Sequence, residues 1–516
     1  MEVVGTWYSL IPPVLALVLV LLTRKVLISL GVSIVVGALM LNGFNPIDGL
    51  MQVVGIFTGI FYVDGGINDW EFYIILFLLL LGMMAALITK SGGSIAFAEW
   101  AMKRIKTRVG AQMFTIFLGF IIFIDDYFNS LTVGNISRPI SDKHRVSRAK
   151  LAYLVDSTAA PMCVIAPISS WGAYIISIIG GILTAHGLSQ YQAFEAFMLI
   201  IPMNYYALIA IAFMVAVALF KIDFGPMRRH EELAITTGQL TDPKSGDLPG
   251  TDGEIESHSH GKVYDLILPI LGLVVGTVAA MVFTGYGEAQ SASLIAIFGE
   301  ADIAGSLVIG GVIGLGVALI TNLIKPDNPN MFQTLWAGIK SMLPAIFILI
   351  LAWIIIEIIS DIGTGLFLAE LVDGTIPPML LPAIIFLIAG FTALSTGTSW
   401  GTFGLLLPIA GDMAAAVDVT LMLPMLAAVL AGAIFGDHTS PISDTTILSS
   451  AGAGSHHIDH VITQLPYAVT SAVIAFVGFI ILGFTGNMWI SLLLVCVIFT
   501  ITVFIIKQLN NSLKKA

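Results

Sequence analysis

Charge is what this chain of 516 residues has least of. Asp, Glu, Lys and Arg together make up 11% of it, against about 25% in a soluble domain. That scarcity, with 57% hydrophobic residues and a mean hydropathy of +0.97, excludes an ordinary water-soluble fold. Lys and Arg are missing altogether from Val26 to Thr89 and from Ser341 to Ile506. No basic footprint exists for nucleic acid, and the net charge of -11 is scattered over loops and marks no partner. The two cysteines, Cys163 and Cys496, lie in apolar segments and make no disulfide framework. No His-Glu-x-x-His motif occurs, and Ser91-Gly92-Gly93-Ser94 lacks P-loop spacing. The chain is therefore not read as an enzyme, and no cofactor is expected. The first residues lack a charged n-region and a small-residue cleavage site. No removable signal peptide is expected, and the first apolar segment serves as an uncleaved signal.

What is present is a series of apolar runs, which predicts an all-α polytopic membrane protein of the plasma membrane, surrounded by lipid. Charge sets the sidedness. Arg24-Lys25, Lys103 to Arg108, Arg138 to Lys150 and Lys507 to Lys515 are read as cytoplasmic. The N-terminus is then outside and the C-terminus inside. Ile47–Val63 is short for a span and reads as an interfacial helix. Val109–Ser137 starts and ends at cytoplasmic clusters, yet two spans need about 40 residues. A re-entrant hairpin fits, with its tip near Ile124 to Ser130. Leu151–Leu183 reads as a crossing broken at Asp156–Pro161 and at Pro167–Ser170. Residues 223–262, rich in Gly, Pro, Asp and Glu, read as a mostly disordered cytoplasmic linker.

The second part runs the same way. Asn328–Lys340 is a short amphipathic stretch before a span at Met342–Ser360, and Gly363–Val372 resembles Gly92–Met102. Ile376–Ala410 is a second hairpin with its tip at Ser395–Thr402, and Leu421–Ala453 is a second broken crossing around Gly436–Thr446. Ala166-Pro167-Ile168-Ser169-Ser170 parallels Ser440-Pro441-Ile442-Ser443-Asp444, and Asn45-Pro46 parallels Asn328-Pro329. Interrupted segments at matching places in two halves point to a transporter site. The expected architecture is an inverted-repeat transporter with about 11 transmembrane helices, two re-entrant hairpins and two broken helices. Its parts are a first repeat at 1–222, the linker at 223–262, an inverted repeat at 263–486 and an extra helix with a tail at 487–516.

Phe123 to Gly134, with its Asp125-Asp126-Tyr127-Phe128-Asn129-Ser130 core, and Gly436-Asp437-His438-Thr439-Ser440-Pro441-Ile442-Ser443-Asp444-Thr445-Thr446 resemble the signature stretches of the NhaC-type sodium/proton antiporters. The resemblance covers nearly the whole chain. It implies Na+ and H+ as transported ions, paired hairpins, and an elevator-like homodimer. Relatives in that family also exchange malate for lactate or carry amino acids.

Ionisable side chains at bilayer depth are costly, and their presence marks a functional site. Sodium is a hard cation and takes oxygen ligands, which carboxylates, hydroxyls and the carbonyls of unwound helices supply. Exchange against protons needs a group that binds either ion but not both. Asp437, His438, Ser440, Ser443, Asp444 and Thr445 in the second break are the first candidates, against a structural ion pair holding a broken helix. Asp125 and Asp126 follow at the first hairpin tip, with Asn129, Ser130 and Thr132 as neutral oxygens, against a merely hydrated tip. Asp156, with Ser157 and Thr158, is placed at the mirror position of Asp437. Ser395, Thr396, Gly397, Thr398 and Ser399 line the second tip, where Gly lets carbonyls approach a ligand. Sodium is expected at Asp156, Asp437 and Asp444. His456, His457 and His460 read as a cytoplasmic loop, and His258 and His260 as part of the linker. The expected function is exchange of Na+ for H+ by alternating access. The alternative is a Na+- or H+-coupled carrier of a small organic solute.

Overall fold

The computed structural model describes residues 3–23, 25–63, 65–188, 190–245, 261–288, 297, 301–325, 330–364, 367, 376–441 and 443–513. Residues 246–260 of the linker with His258 and His260, Asn328-Pro329, most of Gly363–Val372, and the tail lysines Lys514 and Lys515 lie outside that set. The described chain is helical throughout save one two-residue hairpin, β1 (Tyr62–Val63) against β2 (Gly66–Ile67).

The first part runs α1 (Ile11–Thr23), α2 (Val26–Leu41), α3 (Pro46–Gly59), α4 (Asp69–Lys90) and α5 (Gly93–Met102). It continues through α6 (Arg108–Ile121), α7 (Asp126–Lys143), α8 (Arg148–Cys163), α9 (Ser170–Ala185), α10 (Ala193–Ile200) and α11 (Tyr205–Phe220). After α12 (Pro226–Thr237) come α13 (Tyr264–Glu288), α14 (Ile303–Leu323) and α15 (Met331–Asp361). Then follow α16 (Leu381–Thr396), α17 (Ser399–Val417), α18 (Met422–Thr439), α19 (Asp444–Ala453), α20 (His457–Thr485) and α21 (Met488–Leu513).

Helices turn back at both places: α6 and α7 at Ile122–Asp125, and α16 and α17, each long and apolar enough to cross a membrane, at Gly397-Thr398. Gly397 takes φ +70°, the left-handed conformation that closes α16 with an N–H bond to the Ala393 carbonyl at 2.8 Å. Both breaks are there too. In each, a serine two residues past a proline caps the second half-helix: Ser169 accepts from the Gly172 N–H at 2.8 Å, and Ser443 accepts from the Thr446 N–H at 3.2 Å. The paired sequence motifs thus make the same local structure.

Eight described helices are long and apolar enough to cross a membrane, or nine if the pair Ala193–Met203 and Tyr205–Phe220, bent by 51°, is one span. The expectation was about 11. Of the expected spans, α1, α2, α15 and the halves of the first break are not among the eight, α1 and α2 having only 13 and 16 residues, whereas α16 and α17, expected as a re-entrant hairpin, each count as one. The last helix is only 17% buried over its apolar window, with Leu493, Val497 and Phe504 facing outward toward lipid.

Three expectations fail for identifiable reasons. The first break lies at Val164–Ser169 alone, because Asp156–Pro161 continues α8; a proline near a helix end removes one bond without unwinding the turns before it. Residues 331–340 and 342–360 join in one 31-residue helix, Met331–Asp361, since Lys340 and Ser341 break no backbone bond. Within residues 223–245 the chain is ordered at Pro226–Thr237: α12 packs on α8 and α20, and its Glu231 is 1% exposed. Glu231 pairs with Arg108 and accepts the Ser147 N–H at 2.8 Å, while Lys150 of α8 pairs with Asp223. Paired charges can be buried where isolated ones cannot, and that pairing is invisible to composition.

Candidate functional site

Gly436 to Thr446 form the second break. The helix α18 ends at Thr439 because Pro441 cannot continue it. Asp437, fully buried in the last turn, is met on both oxygens: Ser443 donates to Oδ1 at 2.8 Å and Thr445 to Oδ2 at 2.7 Å. Asp444 opens α19, where its Oδ1 accepts the Thr445 N–H at 2.9 Å and its Oδ2 accepts the Tyr127 hydroxyl of the first hairpin. Negative charge at a helix N-terminus is favoured by the unpaired N–H groups there.

The first hairpin tip comes to the same place. Asp125 caps α7 through the Phe128 N–H at 3.0 Å and accepts the Ser170 hydroxyl, at the start of α9, at 2.9 Å. Asp126 is fully buried and neither oxygen has a hydrogen-bond partner. It lies within Coulombic reach of Asp125, Asp444 and Asp437, with the Trp171 indole facing it. Three buried carboxylates and the half-buried Asp444, from two distant stretches, therefore converge, and the donors that meet them, from Ser, Thr, Tyr and backbone, are neutral. Such a group cannot carry four charges without a cation or protons among them. Close backbone approach makes this possible: a Cβ on Gly134 of α7 would stand 2.6 Å from the Gly452 carbonyl carbon of α19.

Asp156 gathers a second cluster. Gln464 of α20 donates to its Oδ2 at 2.6 Å, Thr446 to Oδ2 at 3.3 Å and Ser449 to Oδ1 at 3.2 Å. The His460 Nε2 stands 3.3 Å from Oδ2. The His438 ring bridges the Asp156 carbonyl at 3.3 Å and the Tyr206 hydroxyl at 3.1 Å. Thr446 joins the clusters, since its hydroxyl also reaches the Asp437 carbonyl at 3.4 Å.

The expected residues divide accordingly. Asp125, Asp126, Asp437, Asp444, Ser443 and Thr445 share one centre, and Asp156 with His438 forms the other. Ser130 touches the second through Ser449 at 3.1 Å. Asp156 is not the mirror of Asp437: counted from the break prolines, Cys163 stands four residues before Pro167 as Asp437 stands four before Pro441. Asn129 is a brace, its amide donating to the carbonyls of Gly119, Ile122 and Thr158. Thr158 bonds back to Leu154 and Val155 and packs on Gly119. Ser157 faces Tyr153, and Thr132 is buried on α7.

The second tip serves docking. Ser395 bonds back to Phe391 at 2.9 Å, Thr396 turns on Thr398, and Ser399 reaches the Ala433 carbonyl at 3.4 Å. Ser440 donates to the Leu394 carbonyl at 2.8 Å, which fixes the tip to the second break. Tyr174 of α9 holds the Trp400 carbonyl at 2.9 Å, and the Trp171 and Trp400 rings meet at 5.8 Å.

Sequence reasoning missed Tyr127, Tyr206, His460, Gln464, Thr446 and Ser449. His460 lies in no loop but is fully buried in α20, which starts at His457. The signal is its spacing to Gln464, four residues on and so on one helix face, at the start of a long apolar run. Among the described residues no three or more His, Cys, Asp or Glu stand close enough together to hold a metal ion.

Comparison with known proteins places the chain. The Na+/H+ antiporter family matches residues 162–484. A Haemophilus influenzae protein of uncharacterized function is 47% identical over 487 residues, 93% of this chain and 91% of that one. A second protein from that organism, described as an uncharacterized Na(+)/H(+) antiporter, is 34% identical over 188 residues, 32% of this chain and 39% of its own. The malate-2H(+)/Na(+)-lactate antiporter of Bacillus subtilis is 30% identical over 162 residues, 28% and 31% of the two chains. The crystal structure of the Alcanivorax borkumensis YdaH transporter shares the fold, with a TM-score of 0.53 at 14% identity over 85% of this chain and 89% of that one. With the matched family spanning more than half of its length, this multi-pass membrane protein is a secondary transporter and belongs to the Na+/H+ antiporter family.

Proposed function

We propose that the protein exchanges Na+ for H+ across the plasma membrane by alternating access. The observation that carries this reading is the convergence of buried Asp125, Asp126 and Asp437 with half-buried Asp444, all met only by neutral donors, with both Asp126 oxygens open. Oxygen-rich, anionic and dehydrated surroundings suit a hard monovalent cation. The same oxygens bind protons, so Na+ and H+ compete for one centre, and the centre crosses the barrier only when loaded. Asp156 neighbours that centre through Thr446 and belongs to the same ion path. The two hairpins and two broken helices move together, elevator-like, within a homodimer. The N-terminus is outside and the C-terminus cytoplasmic.

The test is purified protein in liposomes with an imposed pH gradient and an internal fluorescent pH probe. Addition of Na+ alone is expected to collapse the gradient saturably. The B. subtilis relative supports a second reading, a coupled carrier of an organic solute. A response that appears only when malate, lactate or an amino acid is present would replace the first reading with the second.

A further inference from the structure

We propose that Gln464 is a positioning residue for the ion site, and that it acts by tying the last turn of α18 to the Asp156 carboxylate. The proposal deepens the exchange reading above and rests on it. Gln464 is 1% exposed and belongs to α20, a continuous helix of 29 residues that packs on α8, α18 and α19. Its amide nitrogen has two hydrogens and two acceptors in place: Asp156 Oδ2 at 2.6 Å and the His438 carbonyl at 2.9 Å. The acceptors lie on different helices, and each is bound to a break. Asp156 belongs to α8, the first half of the first broken crossing. His438 follows Asp437 in the last turn of α18.

The end of that turn explains why the bond matters. The final carbonyls of a helix have no partner within it and need one elsewhere. The α18 helix stops before Pro441, so the His438 carbonyl is one of these, and Gln464 supplies its donor. The His438 ring closes the loop: its Nε2 donates to the Asp156 carbonyl, and its Nδ1 accepts the Tyr206 hydroxyl. Three helices are thereby held in one register at the residue next to Asp437. A side chain of the same length without N–H groups leaves two buried acceptors short of a donor and frees the turn that carries Asp437.

Gln464→Met removes both hydrogen bonds at nearly constant volume. Gln464→Glu keeps the shape and turns a donor into an acceptor against Asp156. The readouts are equilibrium binding of radioactive Na+ to detergent-purified protein, the Na+ half-saturation and maximal rate in liposomes, and thermal melting. Gln464→Met is expected to raise the Na+ half-saturation and the dissociation constant roughly tenfold, with Gln464→Glu worse than Met. A side chain that only fills space would change yield or melting and leave the half-saturation where it was. An unchanged half-saturation in Gln464→Met, or Met and Glu behaving alike, overturns the proposal. If neither variant folds, Gln464 is a folding residue and the proposal is equally overturned. Should wild-type protein respond only to an organic solute, the exchange reading falls by itself, and the same half-saturation comparison on that solute still decides Gln464.

Discussion

Replacement of Asp437 by Asn separates the charge of the site from its shape. The amide keeps the size of the carboxylate and one acceptor oxygen. Ser443 still donates to Oδ1, at 2.8 Å, and the Thr445 hydroxyl, now 2.7 Å from Oδ2, turns to accept from the new NH2 group. The folding cost is on the order of 1 kcal/mol, one neutral hydrogen bond rearranged. The charge is a larger matter. A cation about 4 Å from a carboxylate gains about 4 kcal/mol at an effective dielectric constant of about 20. Loss of that term weakens Na+ binding by about a thousandfold. Asp437→Asn is therefore expected to insert and melt like wild type and to show no Na+-driven collapse of a pH gradient in liposomes. A variant that exchanges with unchanged Na+ half-saturation would remove Asp437 from the ion site and with it the argument from converging carboxylates.

Three further changes probe the surroundings. Tyr127→Phe deletes the hydroxyl that occupies Asp444 Oδ2, so that oxygen depends more on a cation. The Na+ half-saturation measured at alkaline pH, where protons compete least, should fall several-fold, by the logic that a hydrogen bond to a charged group is worth about 1.5–3 kcal/mol; a rise would show that Tyr127 organises the ligands instead. Ser395→Ala should leave exchange unaltered, because that hydroxyl is spent on its own helix at Phe391; a clear loss of rate would return the second tip to the ion path. Lys150→Met leaves Asp223 without its cation, while Glu231 keeps Arg108, and should cost about 3–5 kcal/mol of stability, read as a lower melting temperature of purified protein; undiminished melting would show that the buried pairs do not hold the linker helix.

The irregular elements were legible because their causes are local. Pro167 and Pro441 each remove a backbone donor, Ser169 and Ser443 each cap the next half-helix, and the charges around each hairpin limit how it can cross. The linker was misread because composition averages over 40 residues, whereas α12 is held by four particular side chains, Arg108, Lys150, Asp223 and Glu231. Asp156 was misplaced for a related reason. The motif alignment around the prolines was sound, but Asp156 sits eleven residues before Pro167, and only its helix decides which way it faces. His460 and Gln464 were visible as a polar pair on one face of an apolar helix, yet nothing local told where that face would point.

By itself the sequence determined that this chain enters a membrane, where its helices break, and which ionisable residues accompany the breaks. Each follows from hydropathy, a missing N–H or a cap within a few residues. Which of those groups meet is a tertiary matter. Tyr127 reaches Asp444 across 317 positions and Gln464 reaches Asp156 across 308, so their pairing depends on helix packing rather than on spacing. That packing divides the polar residues into a carboxylate centre around Asp437 that is open at both Asp126 oxygens and a closed one at Asp156, whose two oxygens both accept hydrogen bonds. The cause is simple: a buried polar group takes the donors that its neighbouring helices happen to present, and no stretch of chain carries its own neighbours with it.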